Sequence, residues 1–418
     1  MAPLIEQLST SSTLSTALDR LKRGAKAAGI DGVTPAMFRE RRSEHLARIS
    51  QQLADGTYKY SNLKAVALPK ESGGHRMLSI PTVADRVVQK AILGLLPKQI
   101  FDAVRSPGSH AYQSQRSFAT AVNDLKYHIS NGKFSIIQTD IEKFFDRASA
   151  SKAIEMLTAQ LPDDSLSPLL AQYVGWEVDG LQSMPRDIRA AFPANGRTTG
   201  LPQGTALAPV LSNLLLAPID RAAKQRGIAV VRYADDVAIL AATESSARDA
   251  FNWYKLQIES LGLTIYDPAS APRTKARVID DVRQIGVDYL GCFVEVTKTG
   301  IRVRPQNVKV QSIIRRISGI LLKRGRAGFP SRIIEADAVA NAWIASYRKI
   351  CGMGRAIRTI SDAASESIES LLRSKKILAP GQMLSQDQRA FLGFSTPAAR
   401  RLGRPTRARQ TLPKKPKP

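Results

Sequence analysis

The chain has 418 residues, 43% of them hydrophobic, enough for several subdomains around a sizeable core. Lys and Arg total 61 against 36 Asp and Glu, a net charge of +25, which implies a polyanionic partner, most naturally nucleic acid. There is no apolar run near 18 residues, no signal-peptide core in MAPLIEQLSTSS, no disulfide framework from Cys292 and Cys351, and no zinc-ligand spacing among His45, His75, His110 and His128. No membrane partner and a cytoplasmic location are therefore expected, and no motif specifies an oligomeric state.

In chain order, residues 1–60 read as mainly helical, ending at Asp55-Gly56. A hairpin and then helices are expected over 61–130, with a loop at SPGS, Ser106–Ser109. In KFSIIQTDIEKFFD, Phe134–Thr139 has a strand pattern, with Asp140 at its C-terminal end. Gln160–Thr199, which contains Pro162, Pro168, Pro185 and Pro193, reads as a long excursion. In GLPQGTALAPVLSN, Gly200, Pro202 and Gly204 force a loop ahead of a helix, and flanking glycines let the backbone at Gln203 approach a ligand. IAVVRYADDVAILAA, Ile228–Ala242, places Asp235 and Asp236 between two short β-branched runs, as a hairpin with the acids at its tip.

Residues 301–378 read as helices broken at Gly325–Pro330. Ile301–Ile350 carries eleven Lys or Arg and only Glu335 and Asp337 as acids. Arg315-Arg316 and Lys323-Arg324 fall near helical spacing with Ile313, Ile314, Ile317, Ile320 and Leu321. That pattern gives one buried face and one basic face able to track a phosphate backbone. Arg400–Pro418 has eight Lys or Arg, four prolines and no acids, and is expected to be disordered in isolation.

Two like charges are buried together only if something positive lies beside them. Asp235-Asp236 is thus either a solvated turn or one half of a divalent-metal site. Asp140 is either a helix N-cap or a third ligand arriving from an adjacent strand.

The order TDIEKFFD, GLPQG, YADD resembles the palm of reverse transcriptases. GIDGVT (29–34), LPKESGGHRMLSIP (68–81), TVADRVVQ (82–89), DYLGCF (288–293) and ANAWIASYRK (340–349) extend the resemblance, in order, to the group II intron lineage over roughly residues 25–350. It implies an α+β right-hand polymerase. Its parts would be an N-terminal extension and fingers (1–130), a palm of antiparallel sheet and helices (131–300, with an insertion at about 160–199), a helical thumb (301–378) and a basic tail (379–418). It implies two Mg²⁺ ions, replaceable by Mn²⁺, held by Asp140, Asp235, Asp236 and the Ile141 backbone. Lys70 and Arg76 would hold the triphosphate of a dNTP. Gln203 and Tyr233 would meet the nucleotide, and Phe145 would be the gate against a 2′-hydroxyl, with Phe144 in the core. Leu290, Gly291, Arg315, Arg316, Lys323 and Arg324 would contact primer and template.

The Asn-Pro-Gln-Gly and Val-Thr-Gly signatures of retrons are not apparent, and no Cys/His metal pairs of an intron endonuclease are present. The chain is most similar to small defence-associated reverse transcriptases of the unknown-group and abortive-infection type. That resemblance implies a structured non-coding RNA as template and scaffold, cDNA as product, and a role in antiphage defence. A group II maturase and a non-catalytic RNA-binding palm are the alternatives.

Overall fold

A computed structural model describes residues 2–22, 26–69, 74–189, 192, 196–323, 329–374, 376–379, 381–385 and 388. Lys70, Arg324 and Arg400–Pro418, together with most of the expected break at Gly325–Pro330, lie outside the described residues. The chain divides into two compact units, one of Met1–Ser117 and Ser135–Val278, the other of Phe118–Phe134 and Ile279–Pro418.

The first unit begins with four helices, Leu4–Ser9, Ser11–Asp19, Pro35–Glu40 and Arg42–Ala54. The second and third start where a threonine hydroxyl accepts a backbone N–H, at Thr10 and Thr34, and the third also has Pro at its first position. Leu8, Leu14, Leu18, Phe38, Ile49 and Leu53 point inward and are buried. Each such side chain contributes roughly 1.5–3 kcal/mol of hydrophobic stabilisation.

The expected hairpin forms from β1 (Leu63–Pro69) and β2 (His75–Ile80), with Arg76 opposite Leu68. β3 (Ser135–Asp140) is the strand that carries the first acid; it starts one residue later than its apolar pattern suggests. β4 (Val178–Asp179) pairs in parallel with β1, in the sheet order β2-β1-β4. β5 (Ala229–Tyr233), β6 (Asp236–Ala241) and β7 (Arg277–Ile279) complete a four-stranded sheet in the order β5-β6-β3-β7. The helix Ala208–Gln225 is buried along much of its length, and its residues join those of the sheet in one hydrophobic core.

The 160–199 stretch is more integrated than its prolines suggest. Leu166, Leu170, Tyr173 and Trp176 are buried. Trp176 donates its indole N–H to the Ser61 carbonyl at 2.8 Å and packs on Tyr60, with ring centroids 4.6 Å apart. β4 then adds a strand to the hairpin sheet. A proline can mark a helix start, as Pro168 does in the first turn of Ser167–Ala171, whereas the buried aromatics decide that the segment packs.

The second unit holds an antiparallel sheet in the order β8 (Val287–Tyr289), β9 (Cys292–Thr297), β10 (Gly300–Pro305), with β9 central. Its helices are Phe118–Ser130, Val282–Ile285, Asn307–Leu322, Phe329–Arg348 and Gly354–Ser374. In Asn307–Leu322, Ile313, Ile317 and Leu321 are buried while Arg315 and Arg316 are exposed, as the apolar and basic periodicities require.

Candidate active site

The register of the central sheet brings the acids together. Asp140, the last residue of β3, sits opposite Asp236, the first residue of β6. Tyr233 also faces Asp236, so Ala234-Asp235 forms a two-residue turn. The Ile141 N–H donates to the Asp235 carbonyl at 3.1 Å, which ties the strand end to that turn. Ala234 adopts φ +58°, a conformation that costs an L-residue of order 1 kcal/mol and must be held by its surroundings.

Arg232 is what holds it. Its Nη1 donates to the Ala234 carbonyl at 2.9 Å, and its Nη2 and Nε engage Asp220 at 2.6 and 3.1 Å. Nη2 also reaches Ser109 Oγ at 2.9 Å and Asn213 Oδ1 at 3.3 Å. Both Arg232 and Asp220 are fully buried. The backbone of the SPGS loop grips the same strand: Arg232 N–H donates to the Gly108 carbonyl at 2.7 Å, and His110 N–H donates to the Arg232 carbonyl at 2.9 Å. A Cβ at Gly108 would fall 2.0 Å from the Val230 carbonyl oxygen, so this approach requires glycine. Sequence reasoning missed Arg232, though a charged residue inside the apolar run AVVRY was the signal that a buried partner must exist.

The carboxylates disturb one another. Burial, with the Asp140 charge next, pushes Asp235 up to about 6. Burial of its carboxyl, then Asp235 and Asp140, pushes Asp236 to about 7, although the residue keeps an exposed side toward solvent. Arg76 opposes both shifts, which places its guanidinium in the field of the acids. Lys275 Nζ lies 2.8 Å from Asp140 Oδ2 and its own pKa is raised by that contact; nothing in the sequence marked this residue. Among the described residues, no three acid, His or Cys side chains already surround a common point as a ligand set, and Asp140 is engaged by Lys275. The donor chemistry nevertheless fits a hard divalent cation: three carboxylates crowd together, supply only oxygen, and repel one another in a partly buried cleft.

Five residues after Asp140, Phe145 joins Gln203, Met77, Ser79 and Lys143 in lining a cavity of about 270 Å³. The GLPQG loop is clipped at both ends: Leu201 N–H donates to the Phe145 carbonyl, and Ser79 N–H to the Gln203 carbonyl, each at 2.7 Å. A Cβ at Gly200 would sit 2.1 Å from the Phe145 carbonyl oxygen, and one at Gly204 (φ +114°) 2.9 Å from that of Ser79. The two glycines thus set where Gln203 lies. Phe144 is buried in the core while Phe145 stays half-buried on the cavity wall. Tyr112, at φ +59° and exposed, presents its ring edge-on to Phe145 at 6.3 Å; it too was missed.

Tyr233 closes β5 next to the acids. Leu290 and Gly291 form the β8–β9 turn of the second unit, with φ +47° and +78°. Arg315, Arg316 and Lys323 are exposed at or beside the helix Asn307–Leu322 of that unit.

Carboxylates meeting at abutting ends of β3 and β6, in an antiparallel sheet that shares its core with a long buried helix, define a palm-type polymerase core. The model of the family described as Reverse transcriptase (RNA-dependent DNA polymerase) matches residues 68–292, more than half the chain, and the protein belongs to that family. It is 27% identical over 211 residues to Protein YkfC of Escherichia coli (strain K12), covering 49% of this chain and 52% of that protein. It is likewise 27% identical over 204 residues to Group II intron-encoded protein LtrA of Lactococcus lactis subsp. cremoris, covering 48% and 31%. The chain thus spans about half or less of the length of these curated relatives. A partial Cas6-RT-Cas1–Cas2 complex is similar over 61% of this chain and 42% of that chain, with 19% identity and a TM-score of 0.37. No described helix is long and apolar enough to cross a membrane.

Proposed function

We propose that this protein copies an RNA template into DNA. The observation that carries the reading is the meeting of Asp140, Asp235 and Asp236 at abutting strand ends, within a reverse transcriptase family member. Asp140, Asp235, Asp236 and the Ile141 backbone would hold divalent cations, Mg²⁺ by preference and Mn²⁺ in its place. Such ions, when bound, activate an attacking hydroxyl and stabilise a leaving phosphate oxygen.

The chain's own part is positioning and charge. Arg76, already in the field of the acids, supplies positive charge for a dNTP triphosphate, and Lys70 is assigned the same task. Gln203, fixed by the two clipped glycines, and Tyr233 orient the nucleotide. The Phe145 ring occupies the space a 2′-hydroxyl would need. Leu290, Gly291, Arg315, Arg316, Lys323 and Arg324 contact primer and template.

The finer reading is that a structured non-coding RNA serves as template and scaffold, giving a cDNA used in antiphage defence. It is supported by the net charge of +25 and by Leu201-Pro202-Gln203-Gly204 standing where retrons have Asn-Pro-Gln-Gly. A second reading, a maturase that assists its intron, is favoured by the similarity to LtrA.

Two experiments test this. Asp235→Ala and Asp236→Ala should each abolish dNTP incorporation on a primed RNA while leaving the fold intact. Retained synthesis in either variant removes the metal-site assignment. RNA co-purifying with the protein from its native host should be one abundant structured species with cDNA complementary to part of it. Intron RNA would instead establish the maturase reading.

A further inference from the structure

The chain contains two cysteines, 59 residues apart in sequence, and the fold of the second unit brings them into contact, Sγ to Sγ 3.6 Å. Both are reduced and both are buried: Cys292 is inaccessible, and Cys351 retains 8% of its surface. They sit on separate elements that meet at β10. Cys292 opens β9 opposite Pro305, directly after the Leu290-Gly291 turn. Cys351 follows the helix Phe329–Arg348, with its N–H bonded to the Tyr347 carbonyl at 2.9 Å, and the next residue, Gly352, donates to the Val303 carbonyl at 2.9 Å. The Gly291 N-terminal neighbour of Cys292 is itself crowded, since a Cβ there would fall 2.7 Å from the Tyr347 hydroxyl.

We propose that Cys292 and Cys351 are an oxidative modification site, forming one reversible disulfide within the chain when a peroxide reaches them. Two sulfurs already in van der Waals contact need only rotamer adjustment and a small backbone shift to reach bonding distance. Cys351 is the first to react. It is the more accessible of the two, and its contact with Cys292 and the nearby charge of Lys126 favour its thiolate. That thiolate attacks a peroxide oxygen and the O–O bond breaks, leaving sulfenic acid on Cys351 and hydroxide, which takes up the proton the thiol had released and departs as water. Cys292 sulfur then attacks the Cys351 sulfur, the S–S bond forms, and hydroxide leaves and takes the Cys292 proton as a second water. Two thiols are oxidised by two electrons and one hydrogen peroxide is reduced to two waters. The product staples the Leu290-Gly291 turn to the end of the helix Phe329–Arg348, and a dithiol reverses it.

The test is on the native full-length protein with hydrogen peroxide as the probe. After treatment, the thiols are blocked with iodoacetamide under denaturing conditions and the protein is weighed intact and after digestion. The expected result is simultaneous loss of both alkylation sites, a mass lower by two hydrogens, and one cross-linked peptide pair containing Cys292 and Cys351 that dithiothreitol separates. Cys292→Ser should instead accumulate sulfenic acid on Cys351, trapped by dimedone. Two thiols that both remain alkylatable overturn the proposal, as does oxidation that stops at sulfinic acid or links separate chains. The wild-type mass decides the matter even if the serine variant does not fold, and its outcome is independent of polymerase activity.

Discussion

The crowding of Asp140, Asp235 and Asp236 has a measurable consequence for stability. Asp235 is the informative position, because Asp236 is exposed and solvent screens part of its shift. In the fold, Asp235 is pushed from 3.8 up to about 6, first by burial and then by the Asp140 charge. A raised carboxylate pKa means that the folded state keeps its proton longer than the unfolded chain. The stability it contributes is therefore complete below about pH 4 and is lost as pH rises through about 6. Two units correspond to about 3 kcal/mol, and partial exposure of the residue reduces the usable figure to about 1–2 kcal/mol. Asp235→Asn removes the charge and keeps the shape. In chelator at about pH 8 the variant should be more stable than wild type by that amount, and the gap should close as pH falls from about 6 to about 4. Calorimetry measures it, on the transition that added Mg²⁺ raises in the wild type, since the two units can melt separately. Equal or lower stability of the variant at pH 8, or a gain that persists unchanged at pH 4, would refute the reasoning that these acids repel one another in the cation-free fold.

Phe145→Ala should open the cavity wall and raise the ratio of rNTP to dNTP incorporation by roughly tenfold or more, read from paired single-nucleotide extension assays; an unchanged ratio ends the gate assignment. Gly200→Ala places a Cβ 2.1 Å from the Phe145 carbonyl oxygen and must displace Gln203, so incorporation should fall by about a hundredfold while RNA binding is retained. Arg232→Lys keeps the buried charge but loses the fork that spans Asp220, Ser109 and the Ala234 carbonyl. It should cost about 2–4 kcal/mol in denaturant unfolding and lower incorporation as well; a wild-type unfolding midpoint would show that the network does not hold the turn.

Much of the site was legible before the fold. Strand periodicity on either side of Asp235-Asp236 and ahead of Asp140 is local, so the sequence alone implied a hairpin with acids at its tip and a strand ending in a third acid. Glycines at 200 and 204 announced a loop that brings Gln203 close to something. What they approach is non-local: the Phe145 carbonyl lies 55 residues upstream of Gly200, and the Ser79 carbonyl lies farther still. The partners of Arg232 come from two separate segments, the loop at Ser109 and the helix face that carries Asn213 and Asp220, and no spacing rule connects either segment to the strand. Lys275 carries no signature at all until the fold sets it on Asp140.

The two cysteines illustrate the same division. Their number and spacing argued against a disulfide framework, because sequence separation says nothing of distance when strands and helices intervene. The sequence by itself determined which residues bear charge, which runs must be buried and which turns need glycine, since these follow from side-chain chemistry and local dihedral limits. Only the tertiary structure decided the register that opposes Asp140 to Asp236, the buried network behind Ala234 and the contact of Cys292 with Cys351. Each of these depends on long-range packing, whose energy is shared among many side chains and written in no single motif.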